Sequence, residues 1–199
     1  MSLREYLYKI VLIGDGGVGK TTIRKSFAGV EFNERYQMTI GVDFAMAKIT
    51  LPDPENPDEA IKISLQLWDL GGQPHFNQVR KTFYMGSSGA LLVFDVTDIN
   101  TMYNLENWFH ELENGAGKIP VIMVGNKIDL RDLEKKGHVD FETALQFNEK
   151  LSKIYGMKIP LVETSGKTGE NVETAFLMLS HYILHKKAPS FEAFVIEKK

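Results

Sequence analysis

Four glycines stand within six residues near the start of this 199-residue chain, in the stretch GDGGVGK at residues 14–20. An apolar run of strand length, residues 8–14, leads into the stretch, and a segment with helical spacing, residues 20–28, follows it. A tight turn needs one or two glycines, so four indicate that something must approach a backbone free of side chains. The chain therefore needs a strand, a bare loop and a helix in direct succession.

The loop fits the pattern Gly-x-x-x-x-Gly-Lys-Thr, from Gly14 to Thr21, which is typical of loops that cradle phosphates. Without Cβ atoms its N–H groups can turn inward around a polyphosphate. The helix that opens near Gly19 adds unpaired amides and the positive end of its dipole. Lys20 supplies a positive charge for the terminal phosphates, and the Thr21 hydroxyl can ligate Mg²⁺. The loop alone predicts a nucleoside triphosphate site without naming the base.

Further apolar runs alternate with segments of helical period along the rest of the chain. The strand candidates are residues 8–14, 39–51, 63–70, 89–96, 119–126 and 158–165, and the helix candidates include residues 20–28, 100–114, 140–155 and 171–186. Near-continuous Val, Ile and Leu runs suit strands buried on both faces of a parallel sheet. Residues 39–51 instead alternate as an edge strand does, with Ile40, Val42, Phe44 and Met46 on one side. We predict an α/β fold of six strands and five helices, whose mostly parallel sheet is covered by helices on both faces.

Composition narrows the class of protein. The chain is 43% hydrophobic and 25% charged with a net charge of −3, so a large electrostatic footprint for nucleic acid is not expected. No apolar stretch reaches the roughly 20 residues of a membrane span. The chain has no cysteine, so we expect no prenyl or palmitoyl anchor and a cytoplasmic location.

We predict one domain over residues 1–187, an exposed hairpin loop at 51–60, and an apolar tail at 188–199.

Two later strand ends carry polar residues suited to a nucleotide. The stretch WDLGGQ (68–73) places Asp69 where a magnesium-shell carboxylate is needed, and VGNKIDL (124–130) places Asp129 just past a strand. A carboxylate accepts two hydrogen bonds side by side, and guanine offers two adjacent donors, N1–H and the 2-amino group. Adenine lacks both and would leave Asp129 unpaired, which can discriminate by about 10⁴-fold. The sequence therefore predicts a guanine nucleotide.

These motifs together resemble the Ras superfamily of small GTPases, and most of all its Rab branch. The resemblance covers about residues 6–186 and is carried by GDGGVGKTT, TIGVDF, WDLGGQ, FYMGSSGALLVFDVTD, NKID and ETSGK, in the order and close to the spacings of the family. It implies the P-loop NTPase fold and a monomeric switch that hydrolyses GTP to GDP and phosphate with Mg²⁺. It also implies an exchange factor, an activating protein and effectors that bind through residues about 34–45 and 70–84. Without a lipid anchor, membrane recruitment is expected only through a partner.

The resemblance also implies a role for each matching residue. In catalysis Gln73 orients the attacking water, while Lys20 and the Gly72 N–H contact the phosphates. Thr21, Thr39 and Asp69 hold the magnesium ion. The residues implied to contact the nucleotide are Asp15, Gly16, Gly17, Val18, Gly19, Lys20, Thr21, Thr22, Phe32, Tyr36, Thr39, Gly72, Asn126, Lys127, Asp129, Ser165, Gly166 and Lys167.

Some features depart from the family pattern. The second switch begins DLGGQ, as in Arf proteins and heterotrimeric α subunits, where most Ras and Rab members have Asp-Thr-Ala-Gly-Gln, and we expect Gly71 to loosen that hinge. The arginine nearest to Thr39 is Arg35, which we expect to be a solvated switch residue. We therefore predict slow intrinsic hydrolysis that needs an external activator. Two alternatives stay open on the residues alone: a GTP-binding scaffold with negligible hydrolysis, and a P-loop kinase or ATPase.

Overall fold

The fold of the chain was obtained as a computed structural model, which describes residues 5–29, 39, 41–53, 56, 59–72 and 77–189, with the backbone alone at 77–79. The strands are β1 (Glu5–Ile13), β2 (Val42–Pro52), β3 (Ala60–Leu70), β4 (Gly89–Asp95), β5 (Val121–Asn126) and β6 (Leu161–Thr164). The helices are α1 (Lys20–Phe27), α2 (Asn77–Tyr84), α3 (Ile99–Tyr103), α4 (Leu105–Ala116), α5 (Phe141–Tyr155) and α6 (Val172–His185). Among the described residues, no helix has both the length and the apolar character needed to cross a bilayer.

The six strands form one sheet in the order β2-β3-β1-β4-β5-β6. Strand β2 runs antiparallel to β3, and every other pairing is parallel. The carboxyl ends of β1, β3, β4, β5 and β6 therefore meet at one edge of the sheet, where open α/β sheets bind their ligands. The predicted α/β fold with a mostly parallel sheet is confirmed.

Strand β1 shows why the apolar runs are continuous. Ile10 and Leu12 belong to the core cluster that includes residues of α1 and α6, and Val11 and Ile13 belong to the cluster on the other face, which includes residues of α2 to α5. All four side chains are fully buried. A strand covered on both faces needs apolar residues at every position, which is the pattern that the sequence shows.

The prediction of a single helix over 100–114 is wrong, since α3 and α4 are separate and meet at Asn104. Asn107 N–H donates to the Asn104 carbonyl at 3.1 Å, a tighter i to i+3 turn than an α-helix makes. The apolar spacing of three and four residues continues through this turn, so the periodicity hides the break. The helix count among the described residues is thereby six, where five were predicted. Helix α4 ends at Ala116, and the capping residue Gly117 has a φ of 74°, which a glycine adopts at little cost.

Strand β2 is the antiparallel edge strand that the alternation predicted, but its apolar outer side faces solvent. Phe44 is 45% exposed and Met46 is 50% exposed, whereas Ile49 and Leu51, on the opposite face, are buried. The predicted hairpin loop joins β2 to β3, with Asp53 N–H donating to the Glu59 carbonyl at 2.9 Å. An exposed pair of large apolar residues on an edge strand is a surface that a partner can cover.

Candidate functional site

The loop between β1 and α1 carries the predicted phosphate site. Gly14, Gly17 and Gly19 have φ values of 139°, 83° and 98°, a region that side-chain-bearing residues rarely adopt. A Cβ at Gly14 would lie 2.1 Å from the Val93 carbonyl oxygen, and one at Gly19 would lie 2.3 Å from Asn126 Nδ2. The loop is therefore fixed against β4 and β5, and glycine is required at both contacts.

Lys20 lies beneath this loop and is almost fully buried. Its Nζ donates to the carbonyl oxygens of Gly14 and Asp15, each at 2.8 Å. Burial lowers the pKa of Lys20 to about 8, although the nearby carboxylates of Asp69 and Asp15 oppose that shift. An ammonium group held among carbonyl oxygens in a buried site is suited to bind a phosphate, because a negative charge there offsets its desolvation.

Three oxygen-bearing side chains converge beside Lys20. Thr21 Oγ1 lies 2.8 Å from Thr39 Oγ1 and donates to Asp69 Oδ2, and Thr39 Oγ1 lies 3.4 Å from the same oxygen. Asp69 is fully buried, and burial raises the pKa of its carboxyl. Its second oxygen, Oδ1, has no hydrogen-bond partner within the part of the chain that the structure describes. The structure thus brings together all three predicted magnesium ligands.

The loops at the ends of β5 and β6 form the predicted base site. Asn126 Nδ2 donates to the Val18 carbonyl at 2.8 Å, and Asn126 Oδ1 accepts from Gly166 N–H at 3.0 Å and Thr164 Oγ1 at 3.1 Å. Ser165 Oγ donates to Asp129 Oδ1 at 2.6 Å. Asn126 therefore joins the phosphate loop to both base loops, and Ser165 orients Asp129.

Lys127 closes the base site on the side of β4. Its backbone has a φ of 71°, and its Nζ lies 2.5 Å from Asp95 Oδ2 at the end of that strand. A hypothetical Cβ on Gly19 would lie 3.9 Å from Lys127 Cε, so the aliphatic stem of Lys127 passes next to the phosphate loop. Thr22, in the first turn of α1, lies beside Gly166. Sequence reasoning missed Asp95 and Thr164, although they are the last residues of β4 and β6 and each lies one residue before the end of a predicted strand.

The second switch starts in contact with the phosphate loop. A Cβ on Gly72 would lie 2.4 Å from the Gly16 nitrogen, so a glycine is required there. The looser hinge expected from Gly71 stays a prediction; in this structure its N–H donates to the Gly41 carbonyl at 2.8 Å. Its carbonyl also accepts from Arg80 Nη1 at 3.1 Å. The peptides at 71 and 72 are therefore held between the two switches.

Four residues singled out in the sequence, Phe32, Tyr36, Gln73 and Arg35, lie outside the described residues. Lys167 is exposed just after the base loop. Asp15 is a residue of the phosphate loop, and its carboxylate accepts from Trp108 Nε1 at 2.6 Å and from Asn104 Nδ2 at 2.7 Å.

Comparison with known proteins identifies the family. The sequence profile of the Ras family matches residues 9–185. The GTP-binding protein ypt1 of Schizosaccharomyces pombe is 37% identical over 180 residues, which cover 90% of this chain and 81% of that protein. The chain belongs to the Ras superfamily of small GTPases, within the Rab branch. It is a GTP-binding switch that hydrolyses GTP to GDP and phosphate.

Proposed function

We propose that GTP or GDP lies along the edge formed by the phosphate loop and the loops after β3, β5 and β6. Lys20 and the amides of residues 15–22 bind the phosphates. Asn126, Lys127 and Asp129 bind the guanine, together with Ser165, the Gly166 N–H and Lys167. Phe32 and Tyr36 of the first switch close over the base and the phosphates. The observation that carries this proposal is the set of hydrogen bonds by which Asn126 joins the phosphate loop to the base loops.

A magnesium ion fits the residues beside Lys20. Hydroxyl and carboxylate oxygens are the ligands that Mg²⁺ prefers, and Asp69 Oδ1 is a buried acceptor that no described residue pairs with. Thr21 and Thr39 would hold the ion directly, and Asp69 would act on it through water. When bound, the ion neutralises charge on the phosphates of the nucleotide.

Hydrolysis in this site requires positioning more than covalent chemistry. We propose that Gln73 orients the attacking water while Lys20 and the Gly72 N–H stabilise charge on the terminal phosphate. We propose that Arg35 does not supply the charge by which an arginine speeds hydrolysis in related sites. The intrinsic rate is therefore slow, and an activating protein raises it. Family membership favours this over a scaffold with negligible hydrolysis or a P-loop kinase.

Single-turnover hydrolysis of GTP by the purified chain tests this assignment. We expect slow phosphate release that requires Mg²⁺. The substitution Gln73→Leu should abolish this release and leave the affinity for GTP within a few-fold of wild type. Lys81→Met serves as a matched control, because Lys81 is an exposed residue of α2. Equal rates in wild type and Gln73→Leu would contradict the role of Gln73.

We propose that the exchange factor, the activating protein and the effectors bind across residues 34–45 and 70–84. Three aromatic rings lie together next to these residues: Trp68 lies 5.0 Å from Phe44 and 5.7 Å from Phe83 between ring centroids. Met46 extends the apolar surface along β2. We propose that the chain acts as a monomeric cytoplasmic switch in membrane trafficking and reaches membranes through such partners. The GTPase domain would span residues 1–187, followed by the tail at 188–199.

Partner capture with the two nucleotide states tests this surface. Chain loaded with a non-hydrolysable GTP analogue should retain a cellular partner that the GDP-loaded chain does not, and Phe44→Ala should abolish the difference. Ile154→Ala is the matched control, since Ile154 is an equally exposed apolar residue on α5. Retention that is the same in both nucleotide states, or unaffected by Phe44→Ala, would contradict the assignment.

A further inference from the structure

A buried arginine of the second switch binds the peptide that precedes Gly72. Arg80, on α2, has a side chain that is only 4% exposed. Its Nη1 donates to the Gly71 carbonyl at 3.1 Å. Its Nε and Nη2 donate to the two carboxylate oxygens of Glu111, on α4, at 2.6 and 2.9 Å. One guanidinium thus connects the start of the second switch, α2 and α4.

The Gly71 carbonyl and the Gly72 N–H belong to the same peptide group. In a trans peptide these two groups point in opposite directions, so fixing the carbonyl also fixes the direction of the N–H. Because glycines stand on both sides of this peptide, its orientation is otherwise weakly restrained. The guanidinium is always charged, and a hydrogen bond from it is stronger than a neutral one. Arg80 therefore holds this peptide in one orientation.

The same cluster reaches the phosphate loop through α4. The Arg80 guanidinium carbon lies 4.4 Å from the centroid of the Trp108 ring, and Trp108 Nε1 donates to Asp15 Oδ1 at 2.6 Å. Tyr84 Oη donates to Glu111 Oε1 at 2.6 Å, which holds that carboxylate in place. Asp15 is itself a residue of the phosphate loop. A continuous series of contacts thus joins Asp15 to the Gly71 carbonyl.

We propose that Arg80 is a positioning residue, which directs the Gly72 N–H toward the terminal phosphate of GTP and couples that contact to the phosphate loop through Trp108 and Asp15. This inference rests on the proposed role of the Gly72 N–H. Since GDP lacks the terminal phosphate, the contribution of Arg80 is specific to the triphosphate state. A contact that only stabilised the fold would affect both nucleotide states equally.

Arginine is the residue that this position requires. A lysine ammonium is a compact charge whose three donors leave one atom, whereas the planar fork of arginine presents N–H groups on three separate nitrogens and serves the Glu111 carboxylate and the Gly71 carbonyl together. The flat guanidinium also stacks on the Trp108 ring, which an ammonium does less well. Arg80→Lys should therefore preserve the charge and lose part of the effect.

The test compares the affinity for GDP with that for a non-hydrolysable GTP analogue, measured by stopped-flow with fluorescent nucleotides. Arg80→Met should weaken binding of the analogue by about 10- to 100-fold, the range of a hydrogen bond to a charged group. Its affinity for GDP should change by less than about threefold. Arg80→Lys and Glu111→Gln should give intermediate losses. Lys150→Met, which removes a charge from an exposed position of α5, should leave both affinities unchanged.

A second measurement needs no variant. In wild type, the Arg80 Nη1–H, which donates to the Gly71 carbonyl, should give a slowly exchanging NMR resonance with the analogue bound and a faster one with GDP. Equal losses of GDP and analogue affinity in Arg80→Met, or equal Nη1–H exchange in the two states, would overturn the inference. If wild type binds GDP and the analogue while Arg80→Met matches it, only the inference fails. If wild type binds neither nucleotide, the proposed site fails with it.

Discussion

Replacing Asn126 by alanine perturbs the site where its three loops meet. Asn126 is 1% exposed, and its side chain makes hydrogen bonds to the Val18 carbonyl, to Thr164 Oγ1 and to Gly166 N–H. Alanine at 126 removes both the donor and the acceptor and leaves three buried groups without their partner. The phosphate loop and the base loops then lose the side chain that joins them.

The magnitude follows from counting these bonds. A buried group left without its hydrogen bond costs about 1–3 kcal/mol, and partial relaxation of the loops recovers some of that cost. We expect a total of about 3–5 kcal/mol for the three groups. Since the same bonds hold the loops in the geometry that binds nucleotide, most of this cost appears in nucleotide affinity. At 1.4 kcal/mol per tenfold, the affinity for GDP falls by about 10²- to 10³-fold.

The assay is calorimetric titration of GDP into nucleotide-stripped protein with Mg²⁺, paired with urea unfolding of the same samples. Asn148→Ala is the matched control. Asn148 lies in α5 and is also buried, and its side-chain amide donates to the Ile159 carbonyl at 2.7 Å. It should lower the free energy of unfolding by about 1–2 kcal/mol and leave GDP affinity unchanged. GDP affinity of Asn126→Ala within threefold of wild type would refute the reasoning.

Three further outcomes follow from the described contacts. Trp108→Phe keeps the ring and removes the donor to Asp15, so the free energy of unfolding in urea should fall by about 1–2 kcal/mol; an unchanged midpoint would contradict this. Gly115→Ala places a Cβ 2.8 Å from Tyr84 Cβ. We therefore expect the free energy of unfolding to fall by about 1–3 kcal/mol, although alanine has the better helix propensity. A raised melting temperature would refute the clash. Chelation of Mg²⁺ by EDTA should speed GDP release from wild type but not from Thr21→Ala, because the Thr21 hydroxyl is a proposed ligand of the ion.

The architecture was predictable because strands that are buried on both faces have near-continuous apolar sequences. The last four residues of β1, Ile10–Ile13, are covered on both faces and are all apolar. The strand ends at Asp69 and Asn126 were recognisable because a parallel sheet gathers its carboxyl ends at one edge. The break between α3 and α4 was not predictable, because the turn at Asn104 leaves the apolar spacing intact.

Side-chain partners across the fold were also beyond the sequence. Trp108 is buried, and its donation to Asp15 depends on where the fold places α4 beside the phosphate loop. Arg80 carries no motif, and its contacts join residues 9 and 31 positions away. The exposure of the apolar outer side of β2 could not be predicted either. An alternating pattern does not distinguish a side that packs on the core from an apolar side that a partner can cover.

The central claim is that one pocket binds a purine nucleotide by its phosphates and selects guanine through Asp129. Calorimetric titration of Mg²⁺-supplemented, nucleotide-stripped protein with GDP and with ADP, repeated with Asp129→Ala, tests it most directly. We predict that wild type binds GDP at least about 10⁴-fold more tightly than ADP and that Asp129→Ala loses most of this preference. Equal affinity for the two nucleotides in wild type, or a preference that survives Asp129→Ala, would contradict the account.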